Sequence, residues 1–263
     1  CVTHATRGVY AGGGAAVKAA ESLVGEILET AAHYLNVYPD SLDLRLDVGR
    51  GQCVIHAPAI PGKTMTLEEL AKRCWMESWK TLAAVESYRP TSCPPAYVAV
   101  FVEVEVDTWT GQVRTVNAVM GSDCGTVVNP AMAVGQLEGG LSKGAGYALI
   151  EGCNWDEDGQ LASRGYWLDA KIAAFDESPR IENLTTFFAD TYEPTGPFGA
   201  KGIGEAAMNP VAAAYANAIA NALGVRFYEL PITPEKILES LEEATPKHET
   251  QRAQRSGEEK QEP

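Results

Sequence analysis

Apolar residues recur at helical spacing through the first part of the chain. Ala16, Ala20, Leu23, Val24, Ile27, Leu28, Ala31 and Leu35 share one side of a helix over residues 11–37, with Lys18, Glu21, Glu26 and Glu29 opposite. The period then shortens to two. Leu42, Leu44, Leu46 and Val48 alternate with polar residues in a half-buried strand that ends at Gly49-Arg50-Gly51. A second amphipathic helix covers 66–85, and Thr66 with Glu69 has the spacing of a capping box. Val98, Val100, Val102, Val104 and Val106 alternate strictly, Asp107 to Gly111 supply a turn, and Val113 to Val119 return, which predicts a β-hairpin. Beyond it the pattern predicts a helix over 130–150, a strand over 181–188, an Ala-rich helix over 208–223 and a short strand over 225–228. A last helix over 233–243 has Pro234 in its first turn. No segment repeats.

Turn-forming residues divide this pattern. The stretch from Thr91 to Pro95 marks a boundary, giving one α+β subdomain over 1–94 and a second over 95–244. Residues 245–263 are polar and almost free of apolar side chains, the composition of a disordered tail. Two groups of glycines stand out. The Gly12-Gly13-Gly14 run suits backbone lying close to another body. Gly135, Gly139, Gly140, Gly144 and Gly146 weaken the 130–150 helix by about 1 kcal/mol each against Ala. Something must pack against them, and periodicity does not choose between a neighbouring segment and a bulky ligand.

Composition narrows the class. Over 263 residues, 45% hydrophobic and 21% charged content excludes disorder of the whole chain. No run reaches the ~18 apolar residues of a membrane span, and no signal-peptide pattern opens the chain. The first residue, Cys1, is compatible with a processed product, one subunit, or a fragment of a longer protein. A net charge of −14 repels nucleic acid, yet leaves room for a local anion site built from backbone N–H groups. The six cysteines and four histidines are scattered without metal-ligand or iron–sulfur spacing. Reduced thiols in a cytoplasmic setting are therefore expected, and any metal used here is held by something other than this chain's side chains.

The segment Gly199-Ala-Lys-Gly-Ile-Gly-Glu205 carries the most chemistry. Its glycines allow successive N–H groups to turn to one side as an anion-binding nest, with the dipole of the following helix added. Glu205 at its lip reads either as a helix N-terminal charge or as a general base. Spacing alone favours the first. Neither a P-loop nor a Rossmann fingerprint fits the glycine spacing.

The run from Tyr192 to Leu241, containing GPFGAKGIGE and NPVAAAYANAIANALGVRFYELPITPEKIL, closely resembles the C-terminal end of the molybdenum-binding subunit of the xanthine dehydrogenase and aldehyde oxidase family. Asp123 to Ala131 resemble that family's DxGxxxNP element, and Gly135 to Gly140 its GQxxGG element. Residues 5–15 occupy the place of its pterin-contacting loop, although family members often have Gln at the sites of Gly8 or Gly14. The resemblance implies the family's molybdopterin-binding domain, built of two α+β subdomains.

By the same resemblance, Glu205 matches the catalytic base that deprotonates a water-derived hydroxyl, which attacks an aldehyde or N-heterocycle. Partial burial would suit that role. Gln136 matches the glutamine that hydrogen-bonds the metal centre. Lys201, Gly202, Ile203 and Gly204 match the loop gripping the cofactor's pyrophosphate and nucleotide end. Val128, Asn129, Pro130 and Ala131, with Thr6, Arg7 and Gly8, match further cofactor loops. The implied cofactor is molybdopterin, in its cytosine dinucleotide form, with molybdenum held by the pterin dithiolene and no protein ligand. Iron–sulfur clusters and FAD belong to partner modules, and the N-terminal part of the molybdenum domain comes from another chain or a missing segment. A non-catalytic homologue used in assembly or cofactor delivery is the alternative. Trp109 and Tyr192 read as packing residues.

Overall fold

The computed structural model describes residues 4–153, 155–161 and 171–244. The chain forms two compact units. One holds Arg7–Cys93 with Pro194–Pro197; the other holds residues 4–6, Pro94–Glu193 and the chain from Phe198 onward. Residues 4–6 thus leave the N-terminal segment and join the unit built from the second half.

In the first unit, a π-helical turn (Gly8–Gly12) leads into α1 (Gly13–Leu35), which closes with Asn36 in the left-handed region. Strands β1 (Asp43–Asp47), β2 (Gln52–His56) and β3 (Thr64–Thr66) form an antiparallel sheet in that order. Only β1 is signalled by alternation: β2, of equal length, carries the unbroken apolar run Cys53-Val54-Ile55, and β3 has three residues. Helix α2 (Leu67–Ser78) opens with the predicted capping box: Thr66 Oγ1 accepts from Glu69 N–H at 3.1 Å, and Glu69 Oε2 accepts from Thr66 N–H at 2.9 Å. The core joins Ile27, Ala31, Leu42, Ile55, Met65, Leu70 and Cys74.

Helix α2 stops well before residue 85. Trp79 turns left-handed, and the N–H groups of Trp79 and Lys80 return to the carbonyls of Trp75 and Cys74. The chain then runs back along α1. Lys80 pairs with Glu26 at 3.1 Å, Ser22 donates to Glu86 at 2.7 Å, and the Tyr88 ring covers Gly14. These partners on the polar side of α1 outweigh continuation of the helix. They also account for two of the three consecutive glycines: a Cβ on Gly14 would sit 2.5 Å from the Tyr88 ring, and one on Gly13 2.9 Å from Pro197.

In the second unit, β4 (Tyr97–Val106) and β5 (Val113–Asp123) form the predicted hairpin, and β6 (Leu184–Phe188) joins β5 in parallel. Asp107 Oδ1 accepts from Trp109 N–H at 2.8 Å and so shapes the turn. Trp109 itself is exposed, and packs nothing. Helices α3 (Pro130–Leu149) and α4 (Val211–Leu223) cover one face of the sheet, burying Met120, Leu137, Leu141, Val211 and Tyr215. Helix α5 (Pro234–Ala244) closes a further cluster of Ile219, Ile232 and Ile237.

Two further expectations change. Residues 181–183 form a short 3₁₀ turn before β6. Residues 225–228 belong to no strand among the described residues; Phe227 reaches the Ile219 cluster while Tyr228 is exposed, so half-burial alone produced the alternation. The expected disordered tail, 245–263, lies outside the described residues. Among the described residues no helix is long and apolar enough to cross a membrane.

Candidate functional site

Helix α3 and the segment after Gly202 enclose an open cleft of about 470 Å³ in the second unit. Helix α3 contributes Gln136, Gly139, Gly140 and Lys143; the facing segment contributes Gly204, Glu205, Met208 and Asn209. Positions 136, 139, 140 and 143 are spaced i, i+3, i+4 and i+7, so they share one helix face. That spacing is the signal from which Lys143 was legible, whereas nothing local marks Met208 and Asn209.

Asn129 starts α3 by accepting the Met132 N–H at 3.1 Å, with Pro130 in the first turn. Its helical glycines divide by role. A Cβ on Gly140 would lie 2.6 Å from Ala207 Cβ, and one on Gly144 2.5 Å from Val211 Cβ. These two admit the facing chain. Gly135 and Gly139 have nothing within 4 Å, and Gly139 leaves the cleft wall clear. The neighbouring-segment reading therefore holds for Gly140 and Gly144, while Gly135 and Gly139 leave open surface.

Glu205 is exposed on the cleft wall, not partly buried as its implied role suggested, and among the described residues its carboxylate has Thr6 as its hydrogen-bond partner. The Thr6 hydroxyl accepts from Glu205 N–H at 3.1 Å and donates to Glu205 Oε2 at 3.3 Å. Glu205 opens a 3₁₀ turn of three residues, and α4 begins only at Val211. A helix N-terminal charge acts within the first turn, so that explanation of Glu205 does not hold. Gln136 presents its Oε1 to Gly204, 3.5 Å from where a Cβ would stand.

The expected nest of amides is smaller than the glycines suggest. Lys201 N–H donates to Cys124 O at 2.7 Å, and Thr126 N–H donates to Gly199 O at 2.9 Å, making a bridge between Gly125 and Ala200. Gly125 (φ +65°) and Gly199 (φ +87°) are left-handed, and the bridge admits no Cβ at Gly125. Gly202, Ile203 and Gly204 keep N–H groups without a hydrogen bond among the described residues.

Lys201 does not point to solvent. Its side chain is 8% exposed, and Nζ donates to Asp123 Oδ2 at 2.7 Å and to Pro95 O at 3.0 Å. Burial opposes ionisation of Asp123. The Lys201 ammonium, the Thr191 hydroxyl at 2.5 Å and the Gly125 N–H outweigh it and hold the carboxyl below its ordinary pKa. This clasp, which local sequence does not announce, fixes the Gly-rich segment to the end of β5.

The remaining candidates are spread. Val128, Asn129, Pro130 and Ala131 form the exposed N-terminal turn of α3. Arg7 and Gly8 belong to the other unit, where they begin the π turn before α1. Tyr192 is exposed at the residue level, with its ring against Gly199.

Known proteins resemble this arrangement. The profile of the molybdopterin cofactor-binding domain family matches residues 1–179. The putative xanthine dehydrogenase molybdenum-binding subunit XdhA of Escherichia coli K12 is 34% identical over 180 residues, 67% of this chain and 23% of its own length. The 6-hydroxypseudooxynicotine dehydrogenase complex subunit gamma of Paenarthrobacter nicotinovorans is 30% identical over 234 residues, 88% of this chain and 29% of its own. The crystal structure of quinoline 2-oxidoreductase from Pseudomonas putida 86 matches with a TM-score of 0.77 and 27% identity, over 92% of this chain and 31% of that one. The chain thus spans less than a third of each of these proteins.

Proposed function

Because the chain belongs to the molybdopterin cofactor-binding domain family, we propose that it is the C-terminal part of the molybdenum-binding subunit of a molybdenum hydroxylase. The reaction is oxidation of an aldehyde or N-heterocycle with oxygen drawn from water. The observation that carries this reading is the Glu205 carboxylate and the Gln136 carboxamide on the wall of one cleft that Gly139 leaves clear.

The residues suit the cofactor. The cleft offers a carboxylate, two carboxamides, the Lys143 ammonium, the Met208 thioether and glycine backbone but no thiol or imidazole, a donor set suited to a metal that arrives with its own sulfur ligands. When bound, the molybdenum–pterin group supplies the two-electron redox centre. Glu205 accepts the proton of the water-derived nucleophile as it attacks the electron-poor carbon. Gln136 would hydrogen-bond the metal centre and orient it. The unspent N–H groups of Gly202, Ile203 and Gly204 would hold an anionic pyrophosphate, the group that a cytosine dinucleotide form would bring. Lys201 acts from behind, holding this segment through Asp123. Val128 to Ala131 complete the cofactor's surroundings within this unit.

The remainder of the molybdenum subunit shapes the substrate pocket, and iron–sulfur and flavin subunits carry the electrons away. A cytoplasmic location fits the free thiols of Cys53, Cys74, Cys93, Cys124 and Cys153. The chain alone is expected to be inactive. In the reconstituted complex, Glu205→Gln lowers turnover by about 10²–10⁴-fold while molybdenum and nucleotide content are kept. Undiminished turnover would assign the chain instead to assembly or cofactor delivery, without catalysis.

A further inference from the structure

We infer that Thr6 is a positioning residue for Glu205, a role that rests on Glu205 acting as the base. One hydroxyl ties down two parts of the same residue. Thr6 Oγ1 accepts from the Glu205 N–H and donates to Oε2, which fixes both the main chain and the carboxylate. Oε1 is left without a hydrogen bond among the described residues, available to a reacting proton. A free glutamate has three rotatable side-chain bonds, and holding it costs rotamer entropy. The threonine meets that cost before substrate arrives.

The chain goes to some length to hold this contact. Ala5 and Thr6 both lie in the left-handed region, at φ 51° and 59°. For a β-branched residue that conformation is strained. It persists because residue 6 sits in a notch at Gly202, where a Cβ would lie 2.5 Å from Thr6 Cγ2 and 2.6 Å from Thr6 O. Gln136 Oε1 and Thr6 Oγ1 flank Gly204, 3.5 and 3.8 Å from the position of its absent Cβ.

Two variants separate positioning from bulk. Thr6→Val keeps the β-branch, the volume and the contact at Gly202 but removes the hydroxyl; Thr6→Ser restores the hydroxyl. In the reconstituted complex, Thr6→Val lowers kcat by about 10–100-fold, because small misplacement of a reacting group has effects of that order. KM and molybdenum content stay unchanged, and Thr6→Ser recovers most of the loss. In the full chain without cofactor, amide hydrogen exchange at Glu205 speeds up by about tenfold or more in Thr6→Val and not in Thr6→Ser, since only the former removes the acceptor. Unchanged exchange at Glu205, or unchanged kcat in Thr6→Val beside an inactive Glu205→Gln, overturns the inference and leaves the proposed function standing. Loss of molybdenum in Thr6→Val would make Thr6 a cofactor contact instead. Full activity in Glu205→Gln would overturn the function itself.

Discussion

Gly202 has no room for a side chain, because Thr6 already fills the space. Gly202→Ala should therefore displace residues 4–6 and destabilise the second unit by about 1–3 kcal/mol, read as a lower denaturant midpoint. The Asp123–Lys201 clasp makes a sharper case. With Lys201 only 8% exposed, Lys201→Met leaves a largely buried carboxylate without its cation, at a cost of about 3–5 kcal/mol. Asp123 is held below its ordinary pKa in the folded chain, so its contribution is complete above the unfolded value near ~4. It is lost as pH falls through the folded value. Acid titration of unfolding should show stability declining below about pH 4, and Asp123→Asn should flatten that slope.

The glycines of α3 test the packing of a whole element. Propensity alone predicts that any Gly→Ala change in this helix adds up to about 1 kcal/mol. Gly135→Ala should gain that much, since nothing lies within 4 Å of the new methyl. Gly144→Ala should lose stability, because its Cβ would meet Val211 Cβ at 2.5 Å in a fully buried layer. Thermal midpoints moving in opposite directions would verify both, and a rise in each would mean that α3 and α4 do not pack as described. The hairpin β4–β5 was legible because its inward valines face a helical layer and its outward residues face solvent. The end of α2 was not, because contacts between residues 80–88 and α1 decided it.

For the whole molecule, a net charge of −14 implies self-repulsion in the compact state. Raising NaCl from 0.01 to 0.15 M shortens the screening length from about 30 to about 8 Å. The melting temperature should rise over that range, whereas a fall would show that attractive surface pairs dominate. The chain covers 23–31% of the relatives described above, so the proposed activity is expected only beside the rest of such an assembly.

What the sequence determined by itself was what local periodicity and motif spacing encode: α1, the first turns of α2 and α3, the hairpin and the Gly-rich segment, whereas Glu205 stood out only through the family resemblance. Side-chain alternation, capping pairs and turn residues act over a few positions, and so they can be read along the chain. The tertiary structure decided what that segment's groups do. It placed Thr6 against Glu205 across 199 positions, buried Lys201 on Asp123, and divided the glycines between packing and an open wall. Those outcomes depend on which distant atoms compete for each hydrogen bond and each volume, and that competition exists only once the chain has folded.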